Sequence, residues 1–245
     1  MKRVKAIICD VYRTLLDVRE PPADAEQRWG TLFQGVFGKV PALSLEQLSV
    51  RCREIVSEDH QEARKRGILY PEVNWPSVMK RTLPELDALP RADADALLFN
   101  HAQLFRSLRL TAGCAPVLRD CIERGILLGI ASNAQAYTLK ELELALSEAG
   151  LDSSIFQSDL TFWSFEHGFS KPDPHVFEIL RARLQNRCLR ESETLIIGDR
   201  EDNDILPARA TGWRTWHFSE KRSGSDQGDW RSLGNALFEA DAKFS

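Results

Sequence analysis

The stretch AIICDVYRTLLD, residues 6–17, decides how the chain is read. Its apolar start is short, and it delivers one aspartate, Asp10, with Tyr12 two positions later. A brief Ile-rich run bounded by turn formers reads as a buried strand. A carboxylate just past such a strand stands where open parallel sheets bind their ligands. A second carboxylate at position 12 would supply a nucleophile with its acid–base partner. The phenol found there leaves open what one aspartate and one tyrosine can do together.

Further apolar runs follow: GILLGIA (125–131), TLIIG (194–198), the alternating WRTWHF (213–218) and the weaker SSIFQSDLTF (153–162). Helical patterns separate them. PVLRDCIERG (116–125) stops on a glycine, and TLKELELALSEAG (138–150) places Leu139, Leu142 and Leu146 on one stripe. DPHVFEILRARL (173–184) has Asp173 as N-cap, Pro174 at the first helical position, and Phe177, Leu180 and Leu184 on one face. Strands alternating with helices predict an α/β fold whose parallel sheet is covered on both faces.

Residues 18–107 read differently, with no convincing strand. SLEQLSVRCREIV opens on a Ser44/Gln47 capping box and carries Leu45, Leu48, Cys52 and Ile55 at helical spacing. A helical block of roughly ninety residues is too long for an ordinary crossover. The expected organisation is an α/β core from 1–17 and 108–245, with 18–107 an inserted helical cap over the end of the first strand. Trp29, Trp75 and Tyr70 read as packing within that cap. The polar SEKRSGSDQGD (219–229) reads as solvated surface.

Composition narrows the function. Lys and Arg total 32 against 36 Asp and Glu, a net charge of −4, which leaves no footprint for nucleic acid or an anionic membrane. The five scattered cysteines contain no C-x-x-C and read as reduced packing residues. The basic-then-apolar start is cut by Asp10, too early for a signal peptide, and no run is long enough to cross a bilayer. The expectation is a cytoplasmic protein acting on a small molecule, without nucleic-acid or membrane partners. His60, His101, His167, His175 and His217 lack metal-ligand spacing and read as structural or surface residues. Cys9, though next to Asp10, reads as packing.

Polar groups follow three of the strands directly: Asp10, then Ser132 and Asn133, then Asp199. Each alone has an ordinary turn or cap reading. Together, at the carboxyl ends of parallel strands, they should converge. SKPDPHVF adds Lys171 in a loop stiffened by Pro172, just before a capped helix.

DVYRTLLD, IASNA, SKPDPHVF and IIGDREDND resemble, in order and spacing, the four motifs of the haloacid dehalogenase-like hydrolase superfamily. The resemblance implies a Rossmann-like three-layer core with an inserted cap, and hydrolysis through an aspartyl nucleophile. It makes Asp10 that nucleophile. Thr14 and Ser132 would hydrogen-bond the transferred group with Asn133 beside them, and Lys171 would neutralise nucleophile and substrate charge. Asp199 and Asp204 would hold Mg²⁺ with Asp10 and the backbone carbonyl of Tyr12.

Two departures pull apart. Phosphatases of the superfamily usually read D-x-D, the second Asp protonating the leaving oxygen; here that place holds Tyr12, and Arg13 replaces the usual glycine. Tyr12 could hydrogen-bond the leaving oxygen or close the site against water, and Arg13 could reach substrate or face solvent. A D-x-Y-x-T-L start is similar to that of the haloacid dehalogenases, whose halide leaves without a proton. Those enzymes need no metal, however, and usually carry a neutral residue where Asp199 stands. Asp10, Asp199 and Asp204 opposed by Lys171 alone call for protonation or a cation, and Mg²⁺ is the economical hard cation. A halide cradle is not evident, although Arg28, Arg51 or Arg53 of the cap could serve. The preferred expectation is a Mg²⁺-dependent phosphatase for a small phosphorylated metabolite or acyl phosphate. A metal-independent haloacid dehalogenase, or a binding protein that has lost turnover, stays open.

Overall fold

The computed structural model describes residues 4–221 and 224–238. The expected core therefore extends past the described residues at both ends, and positions 222–223 of the expected surface loop also lie outside them.

Six strands form one parallel sheet: β1 (Ala6–Cys9), β4 (Leu127–Ser132), β5 (Phe156–Trp163), β6 (Thr194–Gly198), β7 (Arg214–Phe218) and the short β8 (Gln227–Gly228). Their order is β5-β4-β1-β6-β7-β8. The first strand in sequence thus lies mid-sheet, with Cys9 level with Ile130 on one side and Ile197 on the other. Every residue of β1 is buried, as a strand covered on both faces requires. Its side chains alternate: Ile7 and Cys9 join one core layer, and Ala6 and Ile8 the other. The first layer packs α5 (Cys114–Glu123), α6 (Tyr137–Glu148) and α10 (Trp230–Phe238) on the sheet. The second packs α8 (Pro174–Asn186) and the short α9 (Leu206–Ala210). This is the expected α/β architecture.

Local signals account for most boundaries. Asp173 accepts from the His175 amide and Pro174 begins α8. Gly125, left-handed at φ 70°, follows the end of α5, so β4 starts later than the apolar run suggests. The stripe expected on α6 needs correction: Leu142 and Leu146 are buried, but Leu139 faces solvent. Thr138, Glu141 and Ala145 share the inward face instead, because the helix is rotated to present a polar pair beneath Tyr12.

Between β1 and β4 lies a helical block: α1 (Ala25–Phe37), α2 (Leu45–Lys65), α3 (Trp75–Thr82) and α4 (Arg91–Ala102). The Ser44/Gln47 capping box opens α2. The block has a core of its own, built on Trp29, Phe33, Leu48, Met79 and Leu97. Trp75 is partly buried against it, whereas Tyr70 is exposed.

The absence of strands across 18–107 also needs correction. β2 (Leu16–Arg19) and β3 (Ser107–Leu110) pair antiparallel at the root of the block, Leu16 opposite Leu110 and Arg19 opposite Ser107. Each is four residues long and only partly buried, which leaves no periodic signal, and the pairing partner is remote in sequence. A second attachment joins the block to the core. The Glu72 amide donates to Gly168 O at 3.0 Å, and the Ser170 amide donates to Tyr70 O at 2.9 Å.

Candidate active site

The sheet order brings the sequence motifs to one edge. Asp10 stands one residue past β1, and its amide donates to Ile197 O at 2.8 Å, extending the register toward β6. Lys171 enters from the loop before α8. Its Nζ donates to Asp10 Oδ1 at 2.7 Å, to Asp204 Oδ1 at 2.5 Å and to Ala131 O at 2.6 Å. An ammonium has three protons, so all its donors are used within the protein. Burial alone would lower this lysine, but Asp10 and Asp204 hold it above its ordinary value.

Asn133 fixes that lysine from behind. Its Oδ1 accepts from the Lys171 amide at 2.7 Å, and its Nδ2 donates to Lys171 O at 2.8 Å. The amide expected beside the substrate is thus committed to the Lys171 backbone.

Asp199 and Asp204 follow β6. A π-helical turn, Glu201–Ile205, swings Asp204 back over the strand end, where its Oδ2 accepts from the Arg200 amide at 3.1 Å. Gly198 makes this possible: a Cβ there would lie 2.4 Å from the Asp204 side chain. Carboxylate oxygens of Asp10, Asp199 and Asp204 lie within 4.8 Å of one another, and none of the histidines joins them. Burial raises Asp10 to about 7, with Asp204 and Asp199 adding to the rise and Lys171 opposing it. Asp199 is raised as well, first by burial and then by Asp204. This is an all-oxygen, electron-rich donor set of the type that suits a hard divalent cation.

Thr14 and Ser132 are fully buried, and neither hydroxyl has a hydrogen-bond partner. Each adjoins a residue lining the site, Arg13 and Asn133 respectively. Trp230 Nε1 holds the Thr14 carbonyl at 2.9 Å. Orphaned buried hydroxyls are unusual and point to an absent partner.

The hollow above these groups is about 350 Å³ and is lined by Asp10, Tyr12, Arg13, Lys171, Asp199 and Asp204, among others. Arg28, Arg51 and Arg53 do not line it, and Arg28 pairs with Asp24 on the surface.

Tyr12 meets a set of residues that sequence reading missed. Its hydroxyl donates to Glu141 Oε2 at 2.5 Å and lies 2.6 Å from Thr138 Oγ1. Arg106 Nη2 donates to the same hydroxyl at 2.8 Å and to both Glu141 oxygens at 3.0 Å. Gln103 Nε2 adds a bond to Glu141 Oε1 at 2.7 Å. The Arg106 guanidinium also sits 4.5 Å from the Tyr12 ring centre. Burial, then Glu141, push the phenol above its ordinary value against the pull of Arg106. One signal was available: Glu141 is a charged residue on the inward face of an amphipathic helix.

Comparison with known proteins identifies the family and the fold. Residues 4–212 match the family model described as haloacid dehalogenase-like hydrolase. No curated protein matches the sequence. Among solved structures, a 2-haloacid dehalogenase from Pseudomonas syringae pv. Tomato DC3000 is 19% identical with a TM-score of 0.60, over 99% of this chain and all of that one. The HAD-hydrolase YfnB of Bacillus subtilis, bound to magnesium, is 19% identical with a TM-score of 0.54, over 97% of this chain and 100% of that one. A HAD phosphatase from Thermococcus onnurineus is 18% identical with a TM-score of 0.50, over 99% and 98%. At these identities the likeness is one of fold. The match over most of its length shows that the chain belongs to the haloacid dehalogenase-like hydrolases.

Proposed function

We propose that this member of the haloacid dehalogenase-like hydrolases is a magnesium-dependent phosphatase for a small phosphorylated metabolite or acyl phosphate. The observation that carries the reading is the meeting of Asp10, Asp199 and Asp204 within 4.8 Å around one ammonium. Carboxylates so close take up a proton or a cation. Asp10, Asp199, Asp204 and the Tyr12 carbonyl would hold Mg²⁺, which when bound stabilises charge on the phosphoryl oxygens. The solved magnesium-bound relative supports the choice of ion.

In this reading the Asp10 carboxylate attacks phosphorus, and the bond to the leaving oxygen breaks with its electron pair. Thr14 and Ser132 turn their unpaired hydroxyls to the transferred group. Lys171 keeps Asp10 aligned and favours its ionised form. Water then cleaves the aspartyl phosphate, releasing phosphate and restoring Asp10. The Tyr12 proton is held by Glu141, so leaving groups that depart as stable anions, aryl and acyl oxygens, are the best substrates. Residues 18–107 act as a cap over this edge. Reduced, mostly buried cysteines support a cytoplasmic setting. No helix among the described residues is long and apolar enough to cross a membrane.

A second reading, metal-independent dehalogenation of a small haloacid, is favoured by the Tyr12–Glu141 bond, since a departing halide needs no proton. A 2-haloacid dehalogenase is among the structural neighbours. Assays with Mg²⁺ and with EDTA separate the two. Metal-dependent phosphate release from p-nitrophenyl phosphate or acetyl phosphate supports the first. EDTA-insensitive chloride release from 2-chloropropionate supports the second, and ligand binding without either product supports a non-catalytic role.

A further inference from the structure

We propose that Arg13 selects substrates bearing a carboxylate in addition to the group attacked by Asp10. This deepens the phosphatase reading and rests on it for the identity of the attacked group.

The backbone is the first observation. Arg13 is left-handed at φ 61°, a region that a residue with a Cβ adopts at a cost. The turn fixes it there, with the Arg13 amide donating to Leu16 O at 2.6 Å and the Leu16 amide to Val11 O at 2.8 Å. Glycine would meet the same geometry without strain. Strain kept in a site is a pointer to use of the side chain.

The side chain is the second. Arg13 is exposed, and it forms no side-chain hydrogen bond or ion pair among the described residues, its electrostatic neighbour being Asp199. Nearby arginines are all engaged: Arg106 by Glu141, Arg109 by Asp17 and Arg200 by Asp202.

Location is the third. Beside the hollow over Asp10 lies another of about 510 Å³, lined in part by Thr111, His217 and Lys221. Arg13 and Asp199 line both. A ligand with its reacting group at Asp10 and its remainder in the second hollow passes the Arg13 guanidinium. A planar guanidinium fork matches a carboxylate with two parallel bonds. Besides Asp199 the second hollow is lined by two acids, Glu220 and Asp17, and Asp17 is already paired with Arg19 and Arg109.

The test uses titration calorimetry with Mg²⁺ present. Phenylphosphonate and its 3- and 4-carboxy derivatives are titrated into wild type, Arg13→Gln and Arg13→Lys. Phosphate release from the corresponding aryl phosphates is measured in parallel. The expected result is tenfold or greater preference of wild type for a carboxylated ligand, a preference near one in Arg13→Gln, and partial retention in Arg13→Lys. A preference unchanged by Arg13→Gln overturns the proposal, since an arginine that only offsets Asp199 would shift all ligands alike. No preference in wild type, or no binding of any ligand, overturns it too. Binding with the expected preference but no turnover of any ester supports the Arg13 assignment and overturns the phosphatase reading alone.

Discussion

The hydroxyl of Tyr12 donates to Glu141 Oε2 at 2.5 Å, which ties the residue two places past Asp10 to a buried glutamate on α6. Arg106, just before β3, closes the triangle with bonds to both. The side chain at the position of the expected acid is therefore a wall of the site, held by its own polar end.

That triangle should unfold as a unit. Tyr12→Phe is expected to cost about 1–3 kcal/mol, because the hydroxyl bonds Glu141, Thr138 and Arg106 and its loss leaves them short of a partner. Glu141→Ala should cost about 3 kcal/mol, because Arg106 loses its counter-charge in a mostly buried place. In urea unfolding the pair should show a coupling of about 0.5–3 kcal/mol. Simple additivity would mean the bonds carry no joint energy.

Leaving-group dependence should be steep. A positioned acid contributes roughly 10²–10⁴ in rate, and wild type lacks a free one at position 12, so alkyl phosphates should lag aryl and acyl phosphates by that order. Tyr12→Asp should speed the alkyl esters selectively, most clearly alongside Glu141→Gln, which removes the like charge facing the new carboxylate. A flat wild-type dependence with chemistry rate-limiting would show that another group delivers the proton.

The acid limb of the rate profile should report Asp10. Burial raises this carboxyl to about 7, and in the proposed mechanism only its ionised form attacks, so kcat/KM at limiting Mg²⁺ should climb with pH through that region. A bound cation favours the anion, so Mg²⁺ should move the inflection downward. An inflection indifferent to Mg²⁺ would argue for the dehalogenase reading. The sign for stability is opposite. Since the folded protein holds this proton more tightly than the unfolded chain, the Asp10 contribution is fullest below about 4. It declines as pH rises toward 7.

Lys171→Met removes the only ammonium touching Asp10 and Asp204 among the described residues. Breaking a buried pair this way costs about 3–5 kcal/mol. The loss should shrink at pH 5, where Asp10 takes up a proton, and Mg²⁺ should recover part of it. Thermal scans at both pH values with and without the ion check this; a loss indifferent to both would contradict it.

Asp10→Asn should lower turnover by at least about 10³-fold while the fold persists, because an amide cannot form the covalent ester. Near-wild-type rates with a native circular dichroism spectrum would refute covalent catalysis by Asp10.

Much of this was legible from residues. β1, β4 and β6 were visible because doubly covered strands are uninterrupted apolar runs, and each is followed at once by a polar residue of the site. The capping box of α2 and the Asp173–Pro174 start of α8 are local chemistry, and they appear as read. The ribbon of β2 and β3 was not legible, since its strands are short, half-exposed and far apart in the chain. Nor was the partner of Tyr12, because a hydrogen bond spanning 129 positions leaves no periodic trace. Asn133 shows a subtler limit. Its place in the site follows from sequence, but its bonding to the Lys171 backbone depends on a loop conformation that sequence does not display.

The mid-sheet place of β1 has a consequence for synthesis. Its neighbours are β4 on one side and β6 on the other, so a growing chain cannot pair β1 on both sides until Gly198 has left the ribosome. The helical block has all its own core residues by Leu104 and can pack much earlier. During translation Asp10 therefore waits beside a block that can already pack, without Lys171, Asp199 and Asp204, and the candidate site is assembled late.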